Sequence, residues 1–426
     1  MKPKISFSEE QKDWIRRPLL SNIDKILDYR GRTPKKLGLS WSDTGFLALS
    51  ALNVKNGYID FNADANYGNQ ELYDRWMGDN HLHKGQVVFT TEAPMGNVAQ
   101  IPNDDLYILS QRTIAFEVKH DLIREDFLAT LLRSPKIFNE LTSLSSGGTA
   151  KGVSQKSLSN LKVCVPSSLE EQSAIGFFFR TLDDLLVSYK ENLTNCQSLK
   201  ATMLSKMFPK AGQKVPEIRL DGFEGEWECL KIAEIFQIID GDRGKSYPGE
   251  SDFYSVGHTL FLDTGNVKKS GLDFSTTKFI SEEKDKELRN GKLILGDFIL
   301  TSRGTLGNVA YYNENIQKRY SSVRINSAML ILRPLLGDKI SPDYILAVLR
   351  GNLISDFMKV NQVGSAQPHI TKKEFSKIKV LVPSNIQEQQ AIGSYFSNLD
   401  NLIVAHQDKI SQLETLKKKL LQDMFV

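Results

Sequence analysis

Apolar residues recur at alternating steps of three and four along two separated stretches of the chain. The first runs Phe179, Leu182, Leu186, Tyr189, Leu193, Cys196, Met203 and Met207; the second runs Phe396, Leu399, Ile403, His406, Ile410, Leu413, Leu420 and Met424. Sustained over about four heptads, this spacing keeps one stripe on one helix face and forms a coiled-coil seam. Each stretch predicts a helix of about 40 residues, roughly 60 Å long at 1.5 Å rise per residue. Lys200 and Lys417 interrupt the seams at matching positions, where a charged head must snorkel outward or find a carboxylate. His406 sits on the seam and reads as a packed residue. Matched registers favour antiparallel pairing of the two helices with each other; the alternative is two helices that each cover a separate core.

Both helices open with the same start signal. Pro166 precedes Ser168-x-x-Glu171 in "VPSSLEEQSAIG", and Pro383 precedes Asn385-x-x-Glu388 in "VPSNIQEQQAIG". These are capping boxes or close variants, so Glu171 and Glu388, with Gln172 and Gln389 beside them, need no catalytic role to explain them. The repeat extends upstream. Arg30-Gly31 matches Arg243-Gly244, Asn53-Val54-Lys55 matches Asn266-Val267-Lys268, and "MGNVA" from Met95 matches "LGNVA" from Leu306. Small changes of offset between these matches place insertions in loops.

The order is therefore domain, helix, domain, helix: residues 1–166, 167–209, 210–383 and 384–426. In the globular parts, "GQVVFTTEAPMGNVAQI" and "GDFILTSRGTLGNVAYY" read as strand, turn, strand, while "REDFLATLLRSPKIFNELTSL" and "SPDYILAVLRGNLISDFMKVN" show helical spacing. A short capped helix begun by Ser154, or by Thr371, closes each part and leads through a strand into the proline. The fold class is α+β: two similar mixed α/β domains separated by two long helices in an antiparallel coiled coil, with internal pseudo-twofold symmetry. The helices Leu182, Leu186, Leu193, Leu399, Ile403 and Ile410 line would act as a spacer. Phe177, Phe178 and Leu185, outside the seam, belong either to a partner surface or to a domain core.

Composition adds bounds. The chain has 426 residues, 40% hydrophobic and 25% charged, enough to bury ordinary globular cores. No stretch approaches the roughly 18 to 20 apolar residues of a membrane span, and the first residues lack a signal-peptide run, so a cytoplasmic location without a membrane is expected. Three cysteines without CxxC spacing argue against a disulfide framework or a structural zinc site. A net charge of +3 permits contact with a polyanion without demanding it.

Catalytic signatures are wanting. Gly244-Lys245-Ser246 ends like a phosphate-binding loop, but the position that needs the leading glycine holds Ile239. The histidines form no HExxH, and His81-x-His83 reads as a surface pair and not a metal site. The chain reads as a non-enzyme with no catalytic residues, metal or cofactor of its own. Basic side chains at glycine-containing turns are candidates for reading a polyanion: Arg30, Arg32, Lys35 and Lys36 in "RGRTPKK", and Arg243, Lys245 and the hydroxyl of Ser246 in "DRGKS". Arg75, Lys318, Arg319 and Arg324 add further positive charge. One duplicated loop differs: Thr90-Thr91-Glu92 aligns with Thr301-Ser302-Arg303. A carboxylate can accept from cytosine and a guanidinium can donate to guanine, so Glu92 and Arg303 are candidates for reading different bases.

The repeated Pro166 with Glu171-Gln172 and Pro383 with Glu388-Gln389, together with "SGGTAKGVS" and "VGSAQPHIT" ahead of them, resemble the specificity subunits of type I restriction-modification systems. The resemblance spans the whole chain. It implies two target-recognition domains, each reading half of an asymmetric, bipartite double-stranded DNA sequence, held apart by the paired helices as a ruler. It further implies docking of two methyltransferase subunits and two restriction subunits, with S-adenosylmethionine, ATP and Mg belonging to those partners. The competing readings are a coiled-coil protein-protein adaptor that never meets DNA, and an NTPase built on Lys245.

Overall fold

The computed structural model describes residues 14–145, 152–361 and 369–425. The chain forms two compact units, Met1–Lys190 with Lys409–Val426, and Glu191–Asp408. Each takes in a stretch of both long helices. Most of "SGGTAKGVS" and "VGSAQPHIT" lies outside the described residues.

The first unit holds a four-stranded antiparallel sheet in the order Ile23–Asp28, Thr113–Val118, Val87–Thr90, Val98–Gln100. A three-stranded sheet has Phe46–Leu49 in the middle, antiparallel to Tyr67–Gly68 and parallel to Ile108–Leu109. A pair, Ile15–Pro18 with Lys162–Val165, completes it. The second unit repeats all three arrangements. Its four strands run Phe236–Asp240, Met329–Pro334, Phe298–Thr301, Val309–Tyr311; its three-stranded sheet centres on Thr259–Leu262; and Glu228–Lys231 pairs with Lys379–Val382.

The inner strands Val87–Thr90 and Phe298–Thr301 are buried on both faces, which is why they read as unbroken apolar runs and not as alternation. In the first unit Val87, Phe89, Ile114 and Phe116 enter one core while Val88, Ala99 and Ala115 enter another. The second unit sorts Phe298, Leu300, Leu330 and Leu332 from Ile299, Ala310 and Ile331 in the same way.

The helical segments predicted from spacing each break in two. Ser134-Pro135 divides Glu125–Leu132 from Pro135–Leu144, with the Ser134 hydroxyl capping the new helix, and Gly351 divides Pro342–Arg350 from Asn352–Asn361. Proline at the first helical position and a capping hydroxyl favour a restart over a continuous helix. Ser154 and Thr371 cap the short helices Gln155–Asn160 and Lys372–Phe375 as expected.

The long helices span Leu169–Lys206 and Ile386–Met424. Within the first unit Ile175 and Phe179 share a core with Leu421, Met424 and Phe425, so the helix segments there run antiparallel. Within the second, Met207 shares a core with Ile392, Phe396 and Leu399 in the same sense. Leu182, Leu186 and Leu399 are buried, and Leu193, Ile403 and Ile410 are half-buried, on the seam face. Phe177 and Leu185 are exposed, whereas Phe178 packs against the first core.

The helix starts differ from a simple capping box. Ser168 Oγ accepts from the Glu171 amide at 3.2 Å, and Asn385 Oδ1 from the Gln387 amide at 2.8 Å. The carboxylates, however, turn to the globular parts. Glu171 accepts from the Trp14 indole at 3.3 Å, and Glu388 takes both arms of Arg219 at 2.8 Å. The glutamines staple helix to domain. Gln172 Oε1 accepts from the Arg124 amide at 2.9 Å while its Nε2 donates to Leu122 and Pro166; Gln389 repeats this with Ser341, Lys339 and Pro383. Pro166 and Pro383 thus supply a carbonyl as well as a stop.

Candidate nucleic-acid interface

In the first unit, loops from four places in the sequence meet beyond the end of strand Val87–Thr90. The Thr91 amide donates to the Arg112 carbonyl at 2.8 Å, and the Val153 amide donates to the Thr91 carbonyl at 2.8 Å. Gln111 Nε2 donates to the Arg32 carbonyl, and Arg30 Nη1 to the Val153 carbonyl at 3.3 Å. Long-range bonds of this kind fix loops that carry no regular structure.

The second unit builds the same junction. The Ser302 amide donates to the Ala328 carbonyl at 2.9 Å, the Ile370 amide to the Ser302 carbonyl at 3.0 Å, and Arg243 Nη2 to the Ser327 carbonyl at 3.0 Å. Below both junctions the hairpin is held identically: Asn97 Nδ2 donates to Val54 at 3.0 Å and Asn308 Nδ2 to Val267 at 2.8 Å. That duplicated bond is the physical meaning of the repeated "GNVA" and "NVK" strings.

The candidate side chains sort by what holds them. Arg30 gives Nε to Asp28 at 2.9 Å and Nη2 at 2.5 Å, so with its bond to Val153 all its arms are committed to the loop. The Asp28 hydrogen bond holds the Arg30 guanidinium above its ordinary range; burial pushes the Asp28 carboxyl up, but the bonds from Arg30 outweigh it and keep it low. Arg32 lies over the Tyr29 ring at 4.6 Å and donates to the Trp76 carbonyl. Lys35 and Lys36 are exposed on the turn Pro34–Leu37, with Lys36 Nζ donating to the Gly31 carbonyl at 2.7 Å. In the second unit Arg243, Lys245 and Arg303 are exposed and Ser246 half-buried. Asp242 anchors that loop by accepting amides from Gly244 and Arg289, and these bonds outweigh burial to keep its carboxyl low.

Three candidates stand apart from the junctions in sequence and setting. Arg75 is exposed at the end of helix Gln70–Met77, 3.4 Å from Glu71. Lys318 and Arg319 end the helix Glu314–Arg319, where Arg319 lies over Phe274 and Tyr320.

One expectation is corrected. Arg324 is 4% exposed, and its guanidinium is consumed by Asp285 and the carbonyls of Asn290, Asp285 and Leu288. It is a core strut and cannot reach a ligand. Glu92 is half-exposed and lies beside a second charged side chain, with Arg112 Nε 3.0 Å from its Oε1. Arg112, Gln111 and Asp28 were not visible in the sequence because partners such as Glu92, Arg32 and Gln155 lie from 20 to 127 positions away, and singly they look like ordinary turn polarity.

No phosphate-binding loop forms at Gly244-Lys245-Ser246, since the three-residue turn Glu250–Asp252 and no helix follows it. His81 pairs with the Tyr73 hydroxyl at 2.7 Å and His83 with Glu125 at 2.8 Å, so the two rings serve different neighbours. Among the described residues no helix is long and apolar enough to cross a membrane.

The duplicated scaffold now meets its relatives. Residues 13–195 and 224–415 each match the family described as type I restriction modification DNA specificity domain. The chain belongs to that family. The type I restriction enzyme MjaVIII specificity subunit of Methanocaldococcus jannaschii is 24% identical over 318 residues, covering 74% of this chain and 72% of the relative. The putative type I restriction enzyme MjaX specificity subunit of the same organism is 23% identical over 440 residues, covering 98% and 94%. Among solved structures, the type I restriction-modification S subunit from M. genitalium superposes with a TM-score of 0.67 at 18% identity, covering 100% of this chain and 99% of that one. A chain from a study of complex assembly and conformational transition of the type I R-M system gives 0.51 at 19% identity, covering 98% and 99%. The specificity-domain family thus accounts for both halves, and the sequence resemblance stands.

Proposed function

We propose that this chain is the cytoplasmic DNA-reading subunit of a type I restriction-modification complex, in which each unit reads one half of an asymmetric bipartite duplex site. One observation carries the reading: the same loop junction is built twice, once on the four-stranded sheet of each unit, yet with Glu92 and Arg112 in one copy and Arg303 and Ala328 in the other. A common scaffold with different charged side chains at its tip is what two dissimilar half-sites require, because side chains at base edges specify while the rest positions. The paired helices act as the ruler that fixes the gap.

The chain also docks two methyltransferase subunits and two restriction subunits, and S-adenosylmethionine, ATP and Mg chemistry resides in them. Exposed leucines at matching positions on the long helices, Leu185 and Leu416 in the first unit and Leu199 and Leu402 in the second, support a partner surface. The test is co-expression with a cognate methyltransferase and genome-wide mapping of methylated adenine. A new bipartite motif supports the reading; an assembled, active complex that methylates no such motif defeats it in favour of a protein adaptor.

A further inference from the structure

We infer that Arg112 is a base-reading side chain of the first unit and that Glu92 is its positioning residue. This rests on the DNA-reading function proposed above and names a residue within it. Three observations converge on Arg112.

The first is its backbone. Arg112 has φ 67, and among the described residues only it and Ala93 take positive φ without being glycine. A side chain in the left-handed region persists only where its surroundings hold it, and such residues collect at functional sites. Here the Arg112 carbonyl is gripped twice, by the Thr91 amide at 2.8 Å and the Thr91 hydroxyl at 3.1 Å. The neighbouring Gln111 is tied to the Arg32 carbonyl.

The second is its side chain. Glu92 holds Nε at 3.0 Å, yet the Arg112 side chain remains 55% exposed and that of Glu92 46% exposed. An ion pair so exposed adds little stability, so holding the loop together does not explain it. With Nε beside Glu92 and the side chain 55% exposed, Nη1 and Nη2 are a planar pair of donors open to a ligand. That pair matches the O6 and N7 acceptors of guanine in the major groove.

The third is the comparison between the halves. Ser302 grips the Ala328 carbonyl through its amide and hydroxyl, both at 2.9 Å, as Thr91 grips Arg112. Ala328 is therefore the structural counterpart of Arg112, and Arg303 that of Glu92. Where the turn lacks its guanidinium, the loop supplies one; where the turn has it, the loop supplies the carboxylate that aims it. This pair of positions thus carries a guanidinium in each unit, on the turn in the first and on the loop in the second.

The test is methylome mapping of the full chain with its methyltransferase, comparing wild type with Arg112→Ala, Arg112→Gln and Glu92→Gln. Arg112→Ala is expected to relax one guanine position in one half-site, with a fall of about tenfold or more in preference there, while the other half-site and the gap stay unchanged. Glu92→Gln should relax the same position to a smaller degree, an effect that a merely structural role would not confine to one base. Arg112→Gln guards against a misfolded variant, since it keeps a polar side chain on the same turn. A wild-type motif that survives unchanged in all three variants overturns the proposal and leaves the DNA-reading function intact. A wild-type complex that methylates no bipartite sequence overturns both.

Discussion

Lys200 on the central helix donates to Asp400 on the distal helix at 2.5 Å, and Lys417 on the distal helix donates in turn to Asp183 on the central one. Arg350 approaches Asp400 at 3.8 Å, and Arg133 approaches Asp183 at 2.5 Å. Each carboxylate therefore serves one lysine of the opposite helix and one arginine of the domain. The side chains of Arg133, Asp183 and Lys417 are 7%, 19% and 19% exposed. Removing one member of so buried a set strands the others, so Asp183→Asn is expected to destabilise the first unit by about 3 kcal/mol. Urea unfolding of the full chain followed by circular dichroism measures it; a loss below about 1 kcal/mol would mean the charges are better solvated than their burial implies.

The same set gives a pH dependence. Burial pushes the Lys417 ammonium below its ordinary 10.5, the Arg133 charge lowers it further, and Asp183 only partly compensates. The unfolded chain then binds a proton that the folded chain has already released, so between the lowered value and 10.5 the Lys417 contribution to stability rises with pH. Below that window it is constant and unfavourable. The difference in unfolding free energy between wild type and Lys417→Met, measured from neutral pH to pH 10.5, should move in favour of wild type as pH rises. A flat difference would show that Asp183 fully offsets burial.

Gly176 has a reason of its own. A Cβ there would stand 2.8 Å from the Asp126 carbonyl carbon and 2.9 Å from the Phe127 nitrogen, and at Gly393 it would stand 2.6 Å from the Asp343 carbonyl carbon. The long helices pack backbone to backbone on the helices Glu125–Leu132 and Pro342–Arg350. Alanine ordinarily strengthens a helix interior over glycine by about 1 kcal/mol. Here the clash is with backbone, which cannot rotate away, and Gly176→Ala should instead destabilise by about 1–3 kcal/mol. A shift of the urea midpoint to lower concentration at unchanged slope is the expected reading; a shift upward would refute the close approach.

The sequence revealed best what recurs at short range. The seam, the capped helix starts and the interruption of the seam by Lys200 and Lys417 all follow from spacing within one helix or between two matched ones; that these lysines find carboxylates instead of snorkelling outward is seen only in the folded chain. The glutamine staples were visible only as repeated letters, because their partners, Arg124 and Ser341 among them, lie on separate elements nearly fifty residues earlier. Charged residues were the hardest to place. Arg30 and Arg303 look alike as exposed arginines beside glycine, yet the guanidinium of the first is spent on Asp28 two positions away. Only the folded loops separate a side chain that builds a site from one that uses it.

Arg324 makes that distinction testable. It looks like part of a basic run with Lys318 and Arg319, but strand Val323–Ile325 turns it inward against Asp285, which also receives Lys292 at 2.5 Å. Its Nη1 donates to Asn290 at 2.7 Å and its Nη2 to Asp285 and Leu288 at 2.8 and 3.1 Å, so the segment from Asp285 to Asn290 depends on it for three carbonyl bonds. Truncation leaves those acceptors and half of the Asp285 charge uncompensated, and Arg324→Ala should cost about 3 kcal/mol or more. A phosphate-contacting arginine behaves otherwise: its loss weakens binding and lowers the salt dependence while leaving the fold alone. The expected outcome is a lower melting temperature for Arg324→Ala and, at a temperature where the variant is folded, an unchanged methylated motif with an unchanged salt dependence of DNA binding. A normal melt with a reduced salt slope would return Arg324 to the DNA-facing set.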